Sequence, residues 1–282
     1  MRFLFVDKID RLSESEITGS RYFGVDAPMQ YANANGESQI APGVISEAVG
    51  QLVSWLTISK GDFASRPVFL FADKIEIVAP VKPGSKVDLN ASIEEGDDST
   101  FVFSGEARVD GNLVHRVERV NGMYMPLGDL EDPQVTRDRF ARLTAEGLQL
   151  PGDEGRFDFT SLVDRVVESA DTEIVCEKSF SPDEKFYQDH FPRFPVTPIV
   201  MINEMIGLTT AKLVKPDDPR SVVPLTVDGI KIRNFVKPGD TVRTHVKVKD
   251  TIRDGDSTIV KTIAEVKNDS KTLLRGKYSY RF

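Results

Sequence analysis

Three histidines and one cysteine leave few places in these 282 residues for proton-transfer or nucleophilic chemistry. His115 and His245 stand in alternating, strand-like segments and read as ordinary strand residues. His190 differs. It lies in Asp189-His190-Phe191-Pro192-Arg193-Phe194-Pro195, a proline-punctuated loop running into an apolar segment that Pro198 opens. Such a loop holds an imidazole beside a helix start, where backbone N–H groups and the positive dipole end lie close. Two acids stand out as well. Glu47 sits between Ile45 and Val49, with Gln51 four residues on and therefore on the same helical face. Glu204 lies in Met201-Ile202-Asn203-Glu204-Met205. A carboxyl on so apolar a helix must be paired, hydrogen-bonded or protonated, unless it faces a polar opening at the helix end. Other chemistries lack their signatures: there is no P-loop, no dinucleotide-binding glycine motif, no nucleophile elbow and no Cys/His metal spacing. Neither a metal nor an organic cofactor is expected.

The elements that must hold these groups follow from a repeat. Arg2-Phe3-x-Phe5 with Ile9-Asp10-Arg11 recurs as Arg156-Phe157-x-Phe159 with Val163-Asp164-Arg165. Val81-Lys82-Pro83-Gly84 recurs as Val236-Lys237-Pro238-Gly239, and between these anchors each half has a Pro-initiated apolar segment, Pro42–Ile58 and Pro198–Val214. Both segments are apolar almost all round and predict buried helices. Strand alternation follows over Phe69–Ile77, Lys86–Ile93, Phe101–Val109 and Leu113–Tyr124. The second half repeats it over Leu225–Arg233, Thr241–Lys249, Ser257–Val266 and Thr272–Phe282. The expected organisation is a first repeat over 1–130, a linker over 131–154 and a second repeat over 155–282. Within the linker, Val135–Leu148 predicts a short helix with Phe140, Leu143 and Leu148 as its apolar stripe. An α+β fold results, in which a curved antiparallel sheet covers one buried helix per half. The net charge of −8 with no basic block argues against nucleic acid, and no apolar stretch has the length of a membrane span. Lone Cys176 cannot form an internal disulfide, and with no secretory signal at the start a soluble cytoplasmic protein is expected.

These residues resemble the 3-hydroxyacyl-acyl-carrier-protein dehydratases, which have the hotdog fold. His190-Phe191-Pro192, Pro195 and Pro198 match the family's loop in register, and Glu204, fourteen residues after His190, stands at its acid position. In the first half Pro42-Gly43-Val44 and Glu47-Ala48-Val49-Gly50-Gln51 resemble the family's helix signature. When Pro42 is set against Pro198, Glu47 falls one residue short of Glu204, a rotation of about 100° on a helix. Phe71–Ile75, Gly229–Arg233 and Ala107–Val114 resemble its central strand and late hairpin. Family members pair two hotdogs, each site taking a histidine from one and an acid from the other; a tandem chain makes that dimer internally, with further homo-oligomers left open. Here the first half lacks the histidine, with Ala34 in its place, and the second lacks the glutamine, with Leu208 in its place.

The resemblance thus implies one composite site of His190, Glu47 and Gln51, with Glu204 as the alternative acid. Pro198, Ile199, Gly43 and Phe191 would bind substrate beside it. The implied reaction dehydrates a 3-hydroxyacyl thioester of acyl carrier protein or coenzyme A to the trans-2-enoyl thioester, or hydrates it in reverse. His190 would be the base, Glu47 the acid and helix-start amides the oxyanion donors. Basic residues at Lys185, Arg193, Lys231, Arg233 and Lys237 would meet the carrier or the coenzyme phosphates. Two other readings stay open: a hotdog acyl thioesterase, and a non-catalytic acyl-binding or scaffold protein, the latter motivated by Arg193 and Ile199 where the family has glycine and by the shifted Glu47.

Overall fold

Period-two alternation sets the sheet. Along Lys86–Gly96, Val87, Leu89 and Ala91 are buried while their neighbours Lys86, Asp88 and Asn90 face solvent. Along Thr241–Asp254, Val242, Thr244 and Val246 turn inward in the same way. A strand with one apolar row must place that row on a core. In a computed structural model of the chain, which describes residues 3–27, 29–33, 35–148, 157–216, 218, 221–269 and 271–282, that core is a pair of helices. Arg2, Ala34, Pro151, Gly152 and Arg156, which figure in the repeat, the histidine comparison and the linker, lie outside the described residues.

The first half runs β1 (Lys8–Leu12), β2 (Glu16–Tyr22), β3 (Gln30–Ala32), β4 (Ser38–Ile40), α1 (Pro42–Lys60), β5 (Ser65–Ile77), β6 (Lys86–Gly96), β7 (Thr100–Val109) and β8 (Asn112–Pro126). Then come α2 (Leu127–Leu130) and α3 (Pro133–Ala145). The second half runs β9 (Arg165–Ser169), β10 (Glu173–Ser179), α4 (Ile199–Val214), β11 (Val223–Ile232), β12 (Thr241–Asp254), β13 (Ser257–Asn268) and β14 (Lys271–Arg281). One antiparallel sheet takes twelve strands in the order β1-β2-β6-β7-β8-β5-β11-β14-β13-β12-β10-β9. That order reads as two equivalent six-strand sets meeting at β5 and β11, where Val227 pairs with Ile75 and Ile230 with Ala72. This is the double hotdog that the family resemblance implies.

Helix α1 packs against β2, β5, β6, β7 and β8, and α4 against β10 and β12. The two helices meet at Gly43, where an added Cβ would stand 2.4 Å from Val200 Cγ2. Helix α3 starts at Pro133, two residues earlier than the apolar stripe predicts, because the Asp132 side chain accepts from the N–H groups of Gln134 and Val135. It ends at Ala145, so Leu148 lies beyond it. Phe140 packs edge-on to Phe63 and beside Trp55, and Leu143 is fully buried. Burial of each such side chain is worth roughly 1.5–3 kcal/mol, so this helix is docked on the first half.

Candidate active site

The register of the two buried helices decides which acid faces which loop. Helix α4 is capped by Pro198, whose carbonyl accepts from the N–H of Met201; in α1 the corresponding bond runs from the N–H of Val44 to Ala41. Ala41, not Pro42, is therefore the counterpart of Pro198. Pro42 is the first helical residue of α1, a place where its missing N–H costs nothing. Counted from these starts, Glu47 and Glu204 are each the sixth helical residue. The apparent one-residue shortfall comes from pairing the two prolines, and it disappears.

Glu47, Gln51 and Ser54 of α1 line a cleft of about 790 Å³ together with His190, Phe191, Val196 and Thr197 of the proline loop and Ile199 and Ile202 of α4. Apolar residues of the second-half sheet, Ile232, Val266, Leu273 and Leu274, form its far wall. His190 and Glu47, from opposite halves, thus share one cavity. The substrate-side expectations divide. Ile199 and Phe191 line the cleft, Pro198 caps α4, and Gly43 lines both the opposite cavity and a smaller pocket that it shares with Glu47 and Ile199.

His190 Nδ1 lies 2.9 Å from the Val196 carbonyl oxygen. A carbonyl only accepts, so Nδ1 carries the proton and the neutral ring keeps its lone pair on Nε2. The ring packs edge-on to Phe3 at 5.2 Å and against Phe191 at 4.5 Å. Burial lowers its pKa to about 4; the Val196 bond opposes this and the Arg66 charge adds to it. The imidazole should therefore stay neutral as pH falls from ~6.5, its ordinary value, and gain a proton only near about 4. Ring-nitrogen NMR across that range checks this, and titration at the ordinary value would contradict it. The unfolded chain takes up that proton first, so this ring makes folding less favourable as pH drops through the same window.

Gln51 is fixed at both ends of its amide. Its Oε1 accepts from the N–H of Phe5 at 2.8 Å, which turns Nε2 toward Glu47 Oε1 at 3.1 Å and the Phe3 carbonyl at 3.1 Å. Burial raises the Glu47 pKa, and the Gln51 bond and the Arg66 charge only partly offset that. A raised carboxyl beside a lowered imidazole is the usual division between an acid and a base.

The sequence reading missed what steadies the loop. Phe191 adopts φ of +54°, in the left-handed region, and the Arg66 guanidinium stacks on its ring at 4.8 Å. Arg66 in turn pairs with buried Glu131. Arg193 donates to the Gly128 carbonyl at 2.9 Å and to Asp132 Oδ2 at 2.8 Å, while its own N–H bonds the Leu130 carbonyl at 3.0 Å. The loop of the second half is thus tied to the segment that follows the first. Arg193, expected to meet the carrier, has its guanidinium engaged in this tie.

Glu204 lies in a second cavity of about 1290 Å³, with Gly43, Ser46, Tyr31, His115, Asn203, Tyr278 and Tyr280 among its lining. Burial raises its pKa to about 7, although it accepts a bond from the Gly43 backbone. His115, read as an ordinary strand residue, is buried in this wall with Nε2 2.7 Å from Ser46 Oγ. Among the described residues, no cluster of three or more His, Cys, Asp or Glu could hold a metal ion, and no helix is long and apolar enough to cross a membrane.

Comparison with known proteins bears on the family and the fold. A family model described as a FabA-like domain matches residues 156–277, the half that carries His190. The 3-hydroxyacyl-[acyl-carrier-protein] dehydratase FabZ of Lactococcus lactis subsp. cremoris is 35% identical over 123 residues, covering 42% of this chain and 82% of that protein. Among solved structures, a putative oleoyl thioesterase from Lactobacillus plantarum superposes with a TM-score of 0.61 at 13% identity, over 95% of this chain and 96% of that one. The dehydratase domain of RzxB from Pseudomonas fluorescens gives 0.60 at 9% identity, over 99% of both chains. At such identities these two structures speak for the fold, which both carry from end to end. The sequence relationship speaks for more: the chain belongs to the 3-hydroxyacyl-acyl-carrier-protein dehydratase family.

Proposed function

We propose that this protein interconverts 3-hydroxyacyl and trans-2-enoyl thioesters in the cleft shared by His190 and Glu47. The α-proton of a thioester is weakly acidic, so its removal requires a base together with stabilisation of the enolate-like oxygen. His190 Nε2 takes that proton. The first amides of α4, which have no carbonyl partner within the helix, hold the thioester oxygen. Glu47, whose pKa burial raises, gives its proton to the departing hydroxyl, and water leaves. Gln51 orients the carboxyl. The observation that carries this reading is the pairing in one cleft of an imidazole whose Nδ1 is occupied with a carboxyl whose pKa is raised.

The thioester handle is acyl carrier protein or coenzyme A, since both present the same pantetheine arm. The repeats over 1–130 and 155–282 act as one internal pseudo-dimer, neither holding both reacting groups. A hotdog thioesterase would hydrolyse the same substrates, so the deciding experiment follows two products at once. With a 3-hydroxyacyl thioester, the ultraviolet absorbance of the conjugated enoyl product should appear while a thiol-reactive dye stays silent. Thiol release without enoyl formation would overturn the reading.

A further inference from the structure

The second cavity is built from the same elements as the reaction cleft, with the halves exchanged. Helix α4 supplies Glu204 and Leu208 where α1 supplies Glu47 and Gln51. Its mouth reaches solvent at Asp158 and Thr160, both exposed, and its walls are mainly apolar. It lacks the means to react by the same route. With Ala41 set against Pro198, the residue in register with His190 is Asn33 and not Ala34 as the paired prolines suggest; Asn33 is tied to Glu37, and the one imidazole in the wall has its Nε2 engaged by Ser46.

Several polar groups nevertheless converge there with valences unmet. Among the described residues the Tyr31 hydroxyl makes no hydrogen bond, although burial raises the pKa of that phenol. Tyr278 donates to Asn203 Oδ1 at 3.0 Å, which leaves the Asn203 amide N–H groups directed elsewhere. Glu204 lines the cavity, and the Gly43 backbone opposes the upward shift of its pKa. These groups lack protein partners without being sealed from solvent, so water or a ligand entering the cavity can meet them. A phenol, an amide and a carboxyl together offer donors for a carbonyl oxygen and an acceptor for a hydroxyl. The apolar walls then suit an alkyl chain.

We propose that this second cavity is a separate binding site for a neutral 3-hydroxyacyl thioester, which it holds without converting. A free fatty acid fits less well, because its carboxylate would face the Glu204 carboxyl. The proposal rests on the dehydratase reading only for the choice of acyl group.

Gly207 lines the cavity, and a Cβ there would meet only the Tyr280 ring at 3.6 Å and its hydroxyl at 3.8 Å. Leucine at that position fills the cavity, and replacing a mid-helix glycine favours the helix. The test is calorimetric titration of the His190→Ala protein, in which turnover is slowed about a thousandfold, with 3-hydroxydecanoyl-pantetheine. Two equivalents should bind, and one after Gly207→Leu is added. Tyr31→Phe should weaken the second equivalent by about tenfold, the value of one hydrogen bond, and leave the first unchanged. Decanoate should compete for the second site at least tenfold more weakly than the thioester. In the otherwise wild-type background, Gly207→Leu should leave turnover unaltered. One equivalent in His190→Ala, unaffected by Gly207→Leu and Tyr31→Phe, would overturn the second site and leave the dehydratase reading standing. A single equivalent weakened by Gly207→Leu would also overturn it, in favour of one long tunnel. Absence of any binding would instead strike the dehydratase reading itself.

Discussion

Replacement of His190 by alanine should lower kcat for enoyl formation by about a thousandfold, within the usual contribution of a positioned acid or base. That corresponds to ~4 kcal/mol of barrier. The fold should survive, because the ring gives up one hydrogen bond to Val196 and its contacts with Phe3 and Phe191. His190→Gln serves as a second variant, since its amide can donate to the Val196 carbonyl but cannot take up a proton. Both should fail in kcat while KM changes little, because Nε2 acts on the α-proton and not on the pantetheine arm. Steady-state rates at saturating 3-hydroxyacyl thioester check this. Activity within threefold of wild type in either variant would remove His190 from the reaction.

The second large effect separates the two acids. Glu47→Gln should reduce kcat by about a hundredfold or more, whereas Glu204→Gln should leave it within about threefold, since Glu204 lies in the other cavity. The amide keeps shape and much of the hydrogen bonding in both variants, so a difference between them reports proton donation rather than packing. Side-by-side assays on one thioester are sufficient. If Glu204→Gln abolishes turnover and Glu47→Gln does not, the reaction belongs to the second cavity, and the composite assignment fails.

Much of this architecture was legible because duplication leaves a record that physical patterning alone does not. The helices, the eight long strands and the tandem organisation follow from apolar periodicity and from matching anchors such as Val81-Lys82-Pro83-Gly84 and Val236-Lys237-Pro238-Gly239. The edge strands did not. Burial in β1 is confined to Ile9, and β9 has no fully buried residue, so neither carries the alternation that marks a half-buried strand. The helix register was misjudged by one residue because Pro42 and Pro198 look equivalent, although one sits inside its helix and the other caps it. Proline is compatible with both places, so only the hydrogen bonds of Val44 and Met201 distinguish them. Arg66 had no signal of its own at the start of a strand. Its importance emerges from the Phe191 ring beneath it, which is remote in sequence. His115 was equally hidden, since strand alternation says that a residue points inward but not that a cavity lies there.

The meeting of β5 and β11 has a consequence for how the enzyme behaves in dilute solution. A site drawn from two separate chains disappears when the chains dissociate. Here the partners are covalently linked, and Arg193 further anchors one half to the segment that follows the other. Their effective concentration is then on the order of millimolar or higher, whatever the amount of protein present. Specific activity per chain should accordingly stay constant on dilution, and the closing of the seam becomes a step of folding instead of an equilibrium of assembly.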